Sequence, residues 1–153
     1  MESILKVLLP KARDPSPIVA SQIITSLGEL ARVGAKDIIP YLDELMSVII
    51  ETLQDQSSPM KREAALKTLA QVSSNTGWVI EPYLKYPSLL NLLVKILKTE
   101  QSPAIRKETV KVMGVLGALD PYKHQVWFNF CVLTDIRRHP ITWRPQGLHH
   151  WLN

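Results

Sequence analysis

The chain has 153 residues, of which 46% are hydrophobic and 21% charged, an ordinary composition for a globular domain. Its net charge of +4 is dispersed, since residues 1–123 carry 15 Lys and Arg against 13 Asp and Glu, and no basic run suggests a nucleic-acid stripe. One cysteine excludes an internal disulfide framework, and no apolar stretch reaches the roughly 18 residues that a membrane span needs. The N-terminal apolar run is too short for a secretory signal, so we predict a soluble intracellular protein.

The first predicted element is a helix over residues 2–12, ESILKVLLPKA. Its apolar pattern is typical of the second helix of a repeat, so we assign residues 1–13 to a partial repeat.

Three segments, 16–30, 58–72 and 102–116, begin with Ser-Pro and lie 42 and 44 residues apart. Each is predicted to open a helix, because an N-cap serine accepts a hydrogen bond from an early N–H and a proline at the first position lacks a donor that would be orphaned. Their apolar residues recur on one helical face, at Ile24, Leu66 and Val110, at Leu27, Leu69 and Met113, and at Leu30, Val72 and Leu116. The small residues Gly28, Ala70 and Gly114 predict close approach of a neighbouring helix.

A second element follows each Ser-Pro helix. Residues 38–53 and 80–97 share Pro-Tyr-Leu, with the prolines again 42 residues apart, and both read as long apolar helices. Pro87 predicts a kink or a restart within the second of them. A third Pro-Tyr at Pro121–Tyr122 follows Asp120, a candidate N-cap. The predicted helix pairs are therefore 16–33 with 38–54, 58–74 with 79–98, and 102–118 with a helix that starts near 120.

Two helices at a period of 40 to 47 residues are typical of HEAT or armadillo-type repeats, and two helices rather than three favour HEAT. We predict an all-α, right-handed α-solenoid of about three HEAT helix pairs, with repeats at 14–55, 56–98 and 99–124. Neither end resembles a polar capping repeat, which predicts self-association through the ends.

The last segment, residues 125–153, contains three of the four tryptophans and is broken by Pro140, Pro145 and Gly147. We predict a poorly ordered, irregular tail that arose from an alternative splice end or from read-through of non-coding sequence.

Four stretches resemble the N-terminal HEAT-repeat region of the target of rapamycin protein kinases: DPSPIVASQIITSLGELARV, DELMSVIIETLQD, GWVIEPYLKYPSLLNLLVKILKTEQ and LGALDPYKH. The resemblance covers about residues 4–124, and residues 125–153 depart from it. It implies a fragment or truncated isoform of a large serine/threonine kinase that acts in nutrient and growth signalling.

The resemblance implies a protein-interaction scaffold whose partners are other subunits of the kinase complex and adjacent HEAT repeats. It implies a cytoplasmic location, with the family also found at lysosomal or endomembrane surfaces and in the nucleus. The sequence contains no kinase catalytic loop, metal-binding motif or glycine-rich phosphate loop. We therefore predict no enzymatic activity, no catalytic residue, no cofactor, no membrane insertion and no nucleic-acid partner.

The residues suggest three other interpretations. Cys131, His139, His149 and His150 are zinc-ligand types without a zinc-ligand spacing, so we predict no metal site and no Cys-His nucleophile. A ladder of basic residues at Lys61–Arg62, Lys67, Arg106–Lys107 and Lys111 would grip phosphates in a nucleic-acid-binding HEAT domain, but a solvated helix face is favoured. Trp78, Tyr41, Tyr83 and Tyr122 are expected to pack in the core with their hydroxyls reaching the surface; the alternative is a peptide-binding row of tyrosines.

Overall fold

The computed structural model describes residues 2–117. This part of the chain is all-α and contains no strand. The helices are α1 (Glu2–Lys11), α2 (Pro17–Val33), α3 (Ala35–Ile38), α4 (Leu42–Gln54), α5 (Pro59–Thr76), α6 (Glu81–Lys85), α7 (Leu89–Thr99) and α8 (Pro103–Val115). A 3-10 turn at Ile39–Tyr41 joins α3 to α4. The predicted third second-helix near residue 120, with Tyr122, and the predicted tail 125–153 lie outside the described residues.

The three Ser-Pro sites start helices as predicted. Ser16, Ser58 and Ser102 are the N-caps of α2, α5 and α8, and each serine Oγ accepts a hydrogen bond from the backbone N–H three residues on. A proline occupies the opening turn in all three helices. The local chemistry of the N-cap therefore sets where each repeat begins.

The second helices are shorter than predicted, because the prolines divide them. Pro40 has no N–H to continue the hydrogen bonding of α3, so the chain passes through the 3-10 turn before α4 begins at Leu42. In the next repeat α6 ends before Tyr86, whose φ of −124° and ψ of 75° are non-helical, as expected for a residue that precedes proline. The predicted restart at Pro87 is confirmed by α7, which begins at Leu89.

The first helices of neighbouring repeats pack closely, most extensively α2 against α5. Gly28 makes this approach possible, since a Cβ at that position would lie 3.2 Å from the Cα of Thr68 and would collide with the end of Gln71. The hydroxyl of Thr68 donates a hydrogen bond of 2.8 Å to the carbonyl of Ile24, so one buried bond joins a side chain of α5 to the backbone of α2. The close approach predicted from the small residue is thus confirmed at Gly28.

One hydrophobic core runs through the stack, from Leu5 in α1 to Leu116 after α8. The predicted apolar columns are buried in it, with Leu30 only partly so. Contacts between α1 and α4 and between α4 and α7 are much sparser than those between the first helices. The second helices therefore stand further apart, and this spacing leaves a groove between α4 and α7.

Candidate protein-interaction surfaces

The basic ladder predicted from the sequence is largely used within the chain. Lys61 pairs with Asp55 at 2.7 Å, and Lys67 pairs with Glu63 at 2.6 Å. Of the aligned cations on α8, Lys111 lies 3.7 Å from Glu108, an ion-pair distance too long for a hydrogen bond. Arg106 and Lys107 are exposed. The ladder thus offers fewer free cations than its sequence suggests.

The prediction of a solvated basic face is wrong at Arg62. Its side chain is only 10% exposed and pairs with Glu100, which is 11% exposed. The guanidinium donates from Nε and Nη2 to one Glu100 carboxylate oxygen at 3.1 and 2.6 Å, and from Nη1 to the Asp55 carbonyl at 3.0 Å. The other oxygen of Glu100 accepts from the backbone N–H groups of Gln101 and Ser102. Arg62 therefore ties α5 to the two inter-repeat loops on either side of the second repeat.

The pKa of Glu100 reflects this environment. Burial alone would raise the pKa of the carboxyl, but the hydrogen bonds from Arg62 and from two backbone amides lower it below its ordinary value. The carboxylate is thus the favoured form of Glu100 near neutral pH, and its charge is matched by Arg62.

The predicted core packing is confirmed for Tyr41, Tyr83 and Trp78, whereas Tyr122 lies outside the described residues. The expectation that the hydroxyls reach the surface is wrong for Tyr83, whose hydroxyl is buried. Tyr83 is 6% exposed, and burial raises the pKa of its hydroxyl well above the ordinary value. Tyr41 and Trp78 are half-buried against the core. Because Tyr83 belongs to the core, it cannot present its ring as part of an open peptide-binding row.

A cluster that was not predicted from the sequence joins two neighbouring repeats, at the edge of the stack where the first helices end. Lys85 Nζ donates to both carboxylate oxygens of Asp43, at 2.9 and 3.1 Å, and the Tyr86 hydroxyl donates to one of them at 3.3 Å. The Tyr86 ring meets Trp78 edge-on at 6.4 Å, and the Lys85 ammonium lies 5.8 Å from the Trp78 ring. The hydrogen bonds from Lys85 lower the pKa of Asp43. A signal was available, because Asp43 and Lys85 have opposite charges and lie 42 residues apart, one repeat period.

Two grooves run between the helices of neighbouring repeats. The first, of about 490 Å³, lies between α2 and α5 and is lined by small polar residues with Met60, Glu63 and Lys67. Its lysine is already paired with its glutamate. The second, of about 330 Å³, lies between α4 and α7 above the Arg62–Glu100 pair. We call it the second-helix groove.

Residues 2–117 contain no group of three or more His, Cys, Asp or Glu side chains that could hold a metal ion. The zinc-type residues Cys131, His139, His149 and His150 all lie outside that range. Between Glu2 and Gly117, no helix has the length and apolar character needed to cross a membrane.

Comparison with known proteins places most of the chain beside one group of kinases. A family model described as the serine/threonine-protein kinase mTOR domain matches residues 79–135. Serine/threonine-protein kinase TOR2 of Saccharomyces cerevisiae is 54% identical over 125 residues, which cover 82% of this chain. The tor1 kinase of Schizosaccharomyces pombe is 50% identical over 81% of the chain, and the mTor kinase of Drosophila melanogaster is 46% identical over 82% of it. The chain spans only 5% of the length of each of these relatives.

Proposed function

Because the chain is related to the target of rapamycin kinases and is homologous to a segment of them over most of its length, we propose that it acts as a scaffold segment in protein assembly. Its role is to present rigid helical surfaces to other subunits of such a kinase complex and to adjacent helical repeats. The kinase activity for which these relatives are named is assigned, in this proposal, to other parts of those proteins. We place the action of this chain in the cytoplasm.

The observation that carries the proposal is the continuous core that joins the repeats. Leu5, Leu45 and Leu66 are fully buried in one cluster, although they belong to helices from three different repeat units. A solenoid of this kind holds its surfaces in a fixed relation, because each repeat buries its apolar face against the next. Such a body suits the positioning of partners.

Exposed apolar side chains on α1 form a surface that is suited to packing against a further helix. Ile4 and Val7 are 50% and 57% exposed, whereas Leu5 and Leu9 on the opposite side of α1 are buried. A face of this kind is suited to packing against another repeat, in the same way that α1 itself packs against α2. It is also the surface through which we predict self-association, which analytical ultracentrifugation over a concentration series would measure.

The test is competition within cells. The full chain, expressed with an affinity tag, should co-purify with subunits of the host target of rapamycin complex and, in excess, should reduce the recovery of those subunits with the kinase. A Leu45→Asp variant, whose core is disrupted, is the matched control and should do neither. If a natively helical chain recovers no complex subunit and leaves the complex unchanged, the scaffold proposal is wrong.

The nucleic-acid alternative is tested separately. Titration with duplex DNA and with RNA at about 100 mM salt should detect no binding, because Lys61, Arg62, Lys67 and Lys111 each already have an acidic partner. Binding that weakens steeply with salt and is lost in Arg106→Ala would favour that alternative.

A further inference from the structure

The second-helix groove has an apolar floor and a polar rim. Leu53 and Ile96 are buried at 2% and 6% exposure, and Leu92 is half-buried beside them. Gln54 and Gln101 are exposed and line the groove, as does Lys95. An apolar floor with a few convergent polar groups is the general character of a ligand groove.

The groove follows from the way the repeats pack. Gly28 lets α2 and α5 approach, and their contact is the most extensive in the described part of the chain. The second helices α4 and α7 touch only sparsely. The space between them is therefore a consequence of the repeat geometry.

Positions on α7 give the groove a defined wall. Leu92, Lys95, Ile96 and Thr99 all line it, at the spacing i, i+3, i+4 and i+7 that places residues on one helical face. Such a stripe extends for roughly 10 Å along a helix. The wall is thus long enough for a short peptide segment.

The charge of the groove is positive. Arg62 and Glu100 also line it, but they are committed to each other and to backbone groups. The ammonium group of Lys95 makes no ion pair within residues 2–117, where the recorded pairs involve other cations. An exposed cation beside an apolar floor is complementary to a carboxylate that lies close to an apolar side chain.

We propose that the second-helix groove binds an acidic peptide segment of a partner protein, with an apolar side chain seated on Leu53, Leu92 and Ile96 and a carboxylate against Lys95. The glutamine amides at the rim donate to and accept from the peptide backbone. This inference rests on the proposed scaffold function and names the surface and the partner chemistry.

The experiment measures fluorescence anisotropy of labelled short peptides with the full chain at about 100 mM salt. One probe contains glutamate and leucine, a second has lysine in place of glutamate, and a third has serine in place of leucine. The Glu/Leu probe should bind best, and Lys95→Glu should weaken it about tenfold. The charge-matched control is Lys107→Glu, because Lys107 is exposed on α8 and is not among the residues that line the groove; it should leave the affinity unchanged.

A charge swap separates recognition from a structural effect. The Lys/Leu probe should bind Lys95→Glu more tightly than it binds the wild-type chain, which loss of folding could not produce. The proposal is overturned if the Glu/Leu probe does not bind a natively helical chain, if the serine probe binds equally well, or if Lys107→Glu weakens binding as much as Lys95→Glu. If the peptide binds but the chain recovers no complex subunit, the scaffold proposal alone is wrong. If Lys95→Glu recovers the subunits as well as the wild-type chain does, the proposed role of the second-helix groove alone is wrong.

Discussion

Replacing Arg62 by alanine should destabilise the chain more than breaking any other ion pair within residues 2–117. Its pair with Glu100 is the least exposed of those pairs, at 10% and 11% of the two side chains. The substitution removes the cation and leaves the Glu100 carboxylate nearly buried without its partner. Removing one member of a buried pair is costly, because the remaining charge has lost its hydration without compensation.

The expected magnitude follows from the bonds that are lost. Arg62 donates twice to the Glu100 carboxylate and once to the Asp55 carbonyl. A hydrogen bond to a charged group contributes about 1.5–3 kcal/mol, and breaking a fully buried pair costs about 3–5 kcal/mol. Both bonds to Glu100 end on the same oxygen and some solvent reaches the pair, so the lower end of the range for a buried pair applies. We expect the free energy of unfolding to fall by about 3 kcal/mol.

Urea unfolding followed by the helical circular dichroism signal measures this loss. With a slope of about 2 kcal/mol per molar urea, the midpoint should fall by about 1.5 M. Arg32→Ala is the matched control, because it breaks a pair with Glu29 whose side chains are 63% and 48% exposed, and its midpoint should stay at the wild-type value. A double-mutant cycle with Glu100→Gln assigns the loss to the pair. If Arg62→Ala unfolds at the same urea concentration as Arg32→Ala, the reasoning is refuted.

Three further outcomes can be measured on the same chain. Gly28→Ala should lower the unfolding free energy by about 1–2 kcal/mol despite the better helix propensity of alanine, because its Cβ would lie 3.2 Å from the Thr68 backbone; an unchanged urea midpoint would contradict the close approach. Gly77→Ala should cost about 1 kcal/mol in the same assay for a different reason, since Gly77 has a φ of 72°, and Gly77→Asn should recover part of it. The pKa of Glu100 is lowered in the folded chain, so its contribution to the free energy of unfolding is present above the ordinary pKa of 4.5 and is lost as the pH falls below that value. Between pH 7 and pH 3 the free energy of unfolding should therefore fall less steeply in Arg62→Ala than in the wild-type chain.

The repeat, the starts of the three Ser-Pro helices and the buried face of each of them could be predicted from the amino-acid sequence alone. These features are local: a serine N-cap bonds its own first turn, and a period of 3.6 residues places Ile24 and Leu27 on one side of a helix. The small residue at Gly28 could also be read as a close-packing site, since it recurs once per repeat. The similarity to one family of kinases followed from the same residues.

Which polar side chains face solvent depends on the packing of distant parts of the chain. Arg62 reads as a surface cation, yet its environment depends on Glu100, 38 residues away, and on the loop that carries Asp55. The second-helix groove has no local signal at all, because its width is set by how closely α2 and α5 pack on the other side of the core. Burial and spacing are properties of the packed whole, whereas caps and periodicity belong to each segment alone.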